Sequence, residues 1–184
     1  GLCVCVFDGT DRLQHAFWRD IDPDHPARDA SSDGRNVIED LYIRMDGLVE
    51  RTLKKCDDDR TLFMIVSDHG FNTFRYGIDL NRWLEQEGYL ALKDDDRESK
   101  YLTAIDWSKT KAFAIGLSGI FLNIKGRESQ GIVEDGEEAD RLRTEIAEKL
   151  EKLVDPIDGQ RVVNEAFVTK EMHSGPYADM APEL

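Results

Sequence analysis

Three kinds of apolar pattern run along this chain of 184 residues. The first is the short unbroken run. Residues 2–7 and 61–67 are almost wholly apolar and bounded by polar residues, which reads as two buried strands. The second is helical spacing. In residues 36–55, Ile38, Leu41, Met45, Leu48, Val49 and Leu53 fall on one face of a long amphipathic helix. In residues 137–153, Leu142, Ile146, Leu150 and Leu153 do the same, with Asp135 and Glu138 placed to form a capping pair. The third is a pair of close apolar segments, 111–116 and 119–124, split by Leu117-Ser118, which predicts a hairpin. Residues 11–19 read as a helical turn or short helix, 79–87 as a short helix, 89–92 as a short strand and 161–168 as a last strand. Residues 20–34 and the charged run 94–98 read as solvated loops.

Strand, helix, strand over residues 2–67 is a βαβ unit, which implies parallel pairing and a right-handed crossover. The expected class is therefore α/β. The expected architecture is a mostly parallel sheet flanked by helices, with a small insertion containing the hairpin, in a single domain over 1–184. The chain opens inside a strand-like run without Met and stops without a terminating motif, which suggests an internal piece of a larger domain.

Composition narrows the partners. The formal net charge is −14, with 40% hydrophobic and 34% charged residues. That charge argues against nucleic-acid backbones and anionic membrane surfaces as main partners. No apolar run approaches the roughly 20 residues of a membrane span. The three cysteines, Cys3, Cys5 and Cys56, give neither a disulfide framework nor zinc-ribbon spacing. Cys3 and Cys5 are expected as small buried hydrophobes. With no signal peptide in view, a cytoplasmic location is favoured. The oligomeric state is not legible.

Two Asp-His pairs carry the candidate chemistry. Ser67-Asp68-His69-Gly70 ends the second apolar run, where Gly70 is expected to let the backbone turn. In Thr10-Asp11-Arg12-Leu13-Gln14-His15, the residues Asp11 and His15 are four apart and share a helix face. Both pairs follow strands that βαβ logic makes neighbours, so both are expected at one sheet edge. Carboxylate and imidazole suit Zn²⁺ or Mn²⁺. Paired metal ions in hydrolases lie about 3.5–4 Å apart and clamp a phosphoryl group.

His25 in Pro23-Asp24-His25-Pro26 reads as a loop histidine that could border a pocket. His173 is a possible additional ligand. Trp18, Trp83 and Trp107 read as packing residues. No glycine-rich phosphate loop is present. Phe7-Asp8-Gly9-Thr10 resembles the start of haloacid-dehalogenase-type phosphatases, but Val6 stands where that family needs its nucleophilic Asp, so that reading fails.

Five segments together resemble the alkaline phosphatase superfamily, specifically its type I phosphodiesterase/nucleotide pyrophosphatase branch. They are residues 10–18, Val66-Ser67-Asp68-His69-Gly70-Phe71, residues 106–112, Asn123-Ile124-Lys125-Gly126-Arg127-Glu128 and residues 174–184. The resemblance implies a two-metal site that hydrolyses small phosphate esters, with Zn²⁺ ahead of Mn²⁺. It implies that Asp11 and His15 hold one ion and that Asp68 and His69 hold the other. It also implies a Thr or Ser nucleophile and a further Asp ligand from elements that would precede Gly1. The remaining histidine ligand would follow Ala181-Pro182-Glu183-Leu184, whereas His173 lies before it. Thr10 sits inside the Asp11 motif and not in a nucleophile motif. The expectation is a chain that carries part of a metal centre with little turnover of its own. The competing reading is a non-catalytic domain that binds metal or a partner.

Overall fold

The computed structural model describes residues 1–28, 36–93 and 101–184. The charged run 94–98 and part of the 20–34 loop lie outside them. The chain divides into two compact units, Gly1–Gly77 and Ile78–Leu184.

The first unit is built on two helices, α1 (Gly9–Ile21) and α2 (Val37–Leu53), packed on each other. The long periodic segment thus forms its helix as predicted. Its start is fixed by Asn36, whose side-chain oxygen accepts from the Glu39 N–H at 3.0 Å. Acidic Glu39 and Asp40 in the first turn and Arg51 in the last complement the helix dipole. Gln14 of α1 is buried, and its side-chain amide donates to the Thr10 carbonyl and to the Tyr42 hydroxyl of α2. A groove of about 220 Å³ is lined by Leu13 of α1 and by Val37, Asp40, Leu41 and Arg44 of α2.

The second unit holds the larger core. Helix α3 (Leu80–Gln86) is capped by Asp79, which accepts from the Arg82 N–H at 3.0 Å. The hairpin forms as β1 (Ala112–Ile115) and β2 (Gly119–Leu122), antiparallel, with Phe113 opposite Phe121. Its loop is one residue longer than the sequence implied, because Gly116 takes a left-handed φ of 77°. Helix α4 (Glu137–Glu151) turns Leu142, Ile146 and Leu150 into the core, with Leu153 partly buried just beyond its end. Trp83 is buried in this core, and Trp107 packs edge-on against Phe113 with ring centroids 4.9 Å apart.

Polar hubs tie this unit together. The Asn81 side chain donates to the Ala114 carbonyl and accepts from its N–H, fastening α3 to β1. The buried Asn123 side chain donates to three carbonyls, those of Trp107, Thr110 and Gln130. Gly131 passes so close to the Ile124 carbonyl that a Cβ there would stand 2.0 Å from its oxygen. The last residues run beside β2, where the Ile120 N–H donates to the Leu184 carbonyl and the Glu183 N–H to the Ile120 carbonyl. Glu183 is only 4% exposed. Its carboxylate accepts from the Leu122 N–H at 2.8 Å and pairs with Arg127 and Arg143.

The chain is α/β, and the two-stranded antiparallel hairpin is its sheet among the described residues. The parallel βαβ pairing is not formed there. Residues 2–7 and 61–67 carry no ladder, and Leu2, Val4, Val6, Leu62, Met64, Ile65 and Val66 are exposed. An apolar run favours extended backbone, but a strand exists only when a neighbour takes its N–H and C=O groups. For the same reason 89–92 and 161–168 contribute only the isolated bridges Leu92–Ile105 and Val154–Arg161. Cys3 and Cys5, lying in the first unpaired run, are exposed instead of buried. The capping pair is also different. Asp135 binds its neighbour Gly136, and Glu138 accepts from the Glu134 N–H.

Candidate functional site

Helix α1 presents Asp11, His15 and Trp18 at i, i+4 and i+7, and its C-cap Asp22 continues the stripe at i+11. Opposite lie alternate residues of a single segment: His69, Phe71, Thr73 and Arg75. The pairing runs in register. Asp11 Oδ1 is 3.5 Å from His69 Nε2. The His15 and Phe71 rings meet edge to face at 4.8 Å. The Trp18 indole N–H donates to Thr73 Oγ1 at 3.2 Å. Arg75 closes the series with two hydrogen bonds to Asp22. Seven helical residues advance about 10.5 Å and four extended residues about 13 Å, so two such rows stay nearly in step.

At the top of this register Asp11 approaches both His15 and His69, with Asp68 next to His69 in sequence. Asp11 Oδ1 lies 3.4 Å from His15 Nε2 and 3.5 Å from His69 Nε2, and Asp68 Oδ2 is 3.8 Å from His69 Nε2. The His69 Nδ1 is 2.9 Å from the Gly70 carbonyl. A carbonyl can only accept, so Nδ1 carries the hydrogen and Nε2 is the free nitrogen of the neutral ring. This is the outer contact that fixes tautomer and ring direction in metal-binding histidines. That hydrogen bond, then the negative charges of Asp68 and Asp11, raise the His69 pKa above the ordinary imidazole value. Ser67 supports the same turn by donating its hydroxyl to the His69 carbonyl. The bend falls at Asp68, and Gly70 does not take a left-handed φ.

The donor set fits a divalent cation in part. Donors on one tetrahedral ion, at about 2.0–2.2 Å from it, stand about 3.3–3.6 Å apart. The Asp11–His15 and Asp11–His69 separations match that edge. All four side chains are open to solvent, Asp68 at 91%. Among the described residues, no group of three or more His, Cys, Asp or Glu is gathered so as to hold an ion. The arrangement is two adjoining two-donor halves.

The His25 ring is committed to other partners. His25 Nε2 donates to the Phe74 carbonyl at 2.8 Å, and its Nδ1 accepts from the Ala27 N–H at 3.1 Å. Both ring nitrogens are used in holding the loop after α1. His173 is exposed in the second unit, beyond the 3₁₀ turn Thr169–Glu171. Sequence reasoning passed over Phe71, Thr73, Asp22 and Arg75. Their signal was the helical stripe 11, 15, 18, 22 and the alternation 69, 71, 73, 75, visible only when the two are laid side by side.

An α/β chain with two Asp-His pairs, one on helix α1 and one in the non-helical segment facing it, is the class these observations define. The chain belongs to the type I phosphodiesterase / nucleotide pyrophosphatase family, whose model matches residues 1–179, in accord with membership of the alkaline phosphatase superfamily. No curated protein and no solved structure matches the chain. Among the described residues, no helix is long and apolar enough to cross a membrane.

Proposed function

We propose that this chain carries part of a two-metal centre for hydrolysis of small phosphate esters, with Asp11 and His15 serving one ion and Asp68 and His69 the other. The carrying observation is the position of Asp11 Oδ1, within 3.5 Å of a ring nitrogen of both histidines. Bound divalent ions would supply charge neutralisation at the phosphoryl oxygens and activation of the attacking hydroxyl. The chain's own residues orient the donors. The Gly70 carbonyl keeps His69 Nε2 directed outward, and α1 keeps Asp11 and His15 on one face. Zn²⁺ is favoured over Mn²⁺ by the two imidazoles. No Ser or Thr is assigned as nucleophile. Thr10 sits inside the Asp11 motif and not in a nucleophile motif, and the Thr73 hydroxyl oxygen receives the Trp18 N–H.

A second reading is metal or partner binding without catalysis, to which the solvent-open Asp11, His15, Asp68 and His69 side chains are equally accessible. Zinc titration calorimetry tests the first reading. The chain is expected to take up zinc, and Asp11→Ala is expected to weaken uptake at least tenfold. A chain that takes up no zinc overturns it. Metal-dependent cleavage of bis(p-nitrophenyl) phosphate separates the two readings, since turnover lost in Asp68→Ala excludes the non-catalytic one.

A further inference from the structure

The ring of Phe71 occupies the space beside both histidines. Its centroid lies 4.8 Å from that of His15, at 77° between planes, and 5.3 Å from that of His69, at 58°. Trp18 stacks against it at 5.9 Å and 22°. The two imidazoles do not touch one another closely, their centroids being 6.5 Å apart. Trp18 is itself held by its hydrogen bond to Thr73. So the order of dependence runs from the Thr73 hydroxyl to the indole, from the indole to the phenyl ring, and from the phenyl ring to the two imidazoles.

The geometry points to Phe71 as a positioning residue whose one ring packs against both His15 and His69 and keeps them oriented toward Asp11. His69 has a second restraint, its Nδ1–H bonded to the Gly70 carbonyl. His15 has none besides Asp11 and this ring contact among the described interactions. The half-site of Asp11 and His15 is therefore the one that depends more on Phe71. A flat aromatic ring is suited to the place. Edge-to-face packing fixes the imidazole plane as well as its position, which an aliphatic side chain of similar volume does not. The inference rests on the metal reading of the four donors.

Its test compares the full chain with Phe71→Leu and Phe71→Tyr. Zinc affinity is read by calorimetry, cobalt(II) geometry by visible absorption, and folding by thermal melting. Groups that orient a metal ligand from behind change affinity about 10–100-fold when removed. Phe71→Leu is expected to fold, to lose about tenfold in zinc affinity and to alter the cobalt(II) spectrum, while Phe71→Tyr, which keeps the ring, restores both. Unchanged zinc affinity and an unchanged cobalt(II) spectrum in Phe71→Leu overturn the proposal. So does a loss that Phe71→Tyr fails to restore. If Phe71→Leu fails to fold, Trp18→Leu, which removes the backing of the ring together with the hydrogen bond to Thr73, must give the same directional loss, and unchanged binding there overturns the proposal. A wild-type chain that binds no zinc overturns the metal reading itself, a result distinct from any produced by the variants.

Discussion

Arg75 grips Asp22 across 53 residues of sequence, Nε to Oδ2 at 3.1 Å and Nη2 to Oδ1 at 3.2 Å. The Asp22 carboxylate is 8% exposed while the guanidinium remains half open. Its Oδ1 also accepts the Asp24 N–H at 3.0 Å, so one carboxylate caps the turn after α1 and anchors the 69–75 segment. Removing Arg75 leaves the buried Asp22 carboxylate without its counter-charge, and removing Asp22 leaves the Asp24 N–H without its acceptor and the 69–75 segment without its anchor. Asp22→Ala and Arg75→Ala are each expected to lower the thermal midpoint of the first unit by several degrees. The double variant should lose less than the sum of the two. Circular dichroism melts of the three variants check this.

The same pair predicts an acid limb. Hydrogen bonds from Arg75 lead the effects that lower the Asp22 pKa below its ordinary value. A depressed carboxylate contributes stability that is fully present above the ordinary aspartate value of about 3.9 and is lost as pH falls through the lower, folded-state value. Melting of the wild type should therefore weaken more steeply below about pH 4 than that of Asp22→Asn. Parallel slopes for the two proteins would contradict this.

His69 predicts the pH dependence of metal uptake. Ligation needs the neutral ring, and its pKa is raised, first by the hydrogen bond to the Gly70 carbonyl and then by Asp68 and Asp11. Zinc affinity should thus begin to fall at a pH above the ordinary imidazole value of about 6.5. Calorimetry across a pH series checks this.

Glu183 predicts a stability effect in the second unit. Its carboxylate serves the Leu122 N–H, Arg127 and the buried Arg143 together. Glu183→Ala is expected to cost about 3 kcal/mol in urea unfolding, because the Leu122 N–H is left unpaired and the buried Arg143, which keeps Asp140, loses its second carboxylate. Glu183→Gln should cost less, since the amide oxygen can still accept from Leu122.

Gly131 gives a sharper steric test. An added Cβ would meet the Ile124 carbonyl oxygen at 2.0 Å. Gly131→Ala must push apart a crossing where the Ile132 and Val133 N–H groups both donate to the Asn123 carbonyl. The expected loss is about 2–4 kcal/mol by the same denaturation measurement.

Periodicity made α2, α4 and the hairpin legible, because each buries one face and the spacing of Leu142, Ile146 and Leu150 or of Phe113 and Phe121 records it. The runs 2–7 and 61–67 misled for a physical reason. Hydrophobicity reports a tendency to leave water, not the presence of a hydrogen-bonded neighbour. Residue type and motif singled out Asp11, His15, Asp68 and His69, and the structure sets Asp11 close to both His15 and His69. It does so by a side-chain register between α1 and residues 69–75, without the parallel ladder that had been expected to align them. Phe71 and the Asp22–Arg75 pair escaped notice because no local pattern announces a contact over some fifty positions.

Those two bare runs also govern how the molecule behaves at high concentration. Val4 and Val6 in one, and Ile65 and Val66 in the other, lie beside backbone groups that no ladder occupies. Such segments are templates for intermolecular β-addition, restrained here by the mutual repulsion of chains bearing a net charge of −14. Salt, which screens that repulsion, should therefore promote rather than suppress turbidity. A single lysine at Val4 or Met64 would act as a gatekeeper against it.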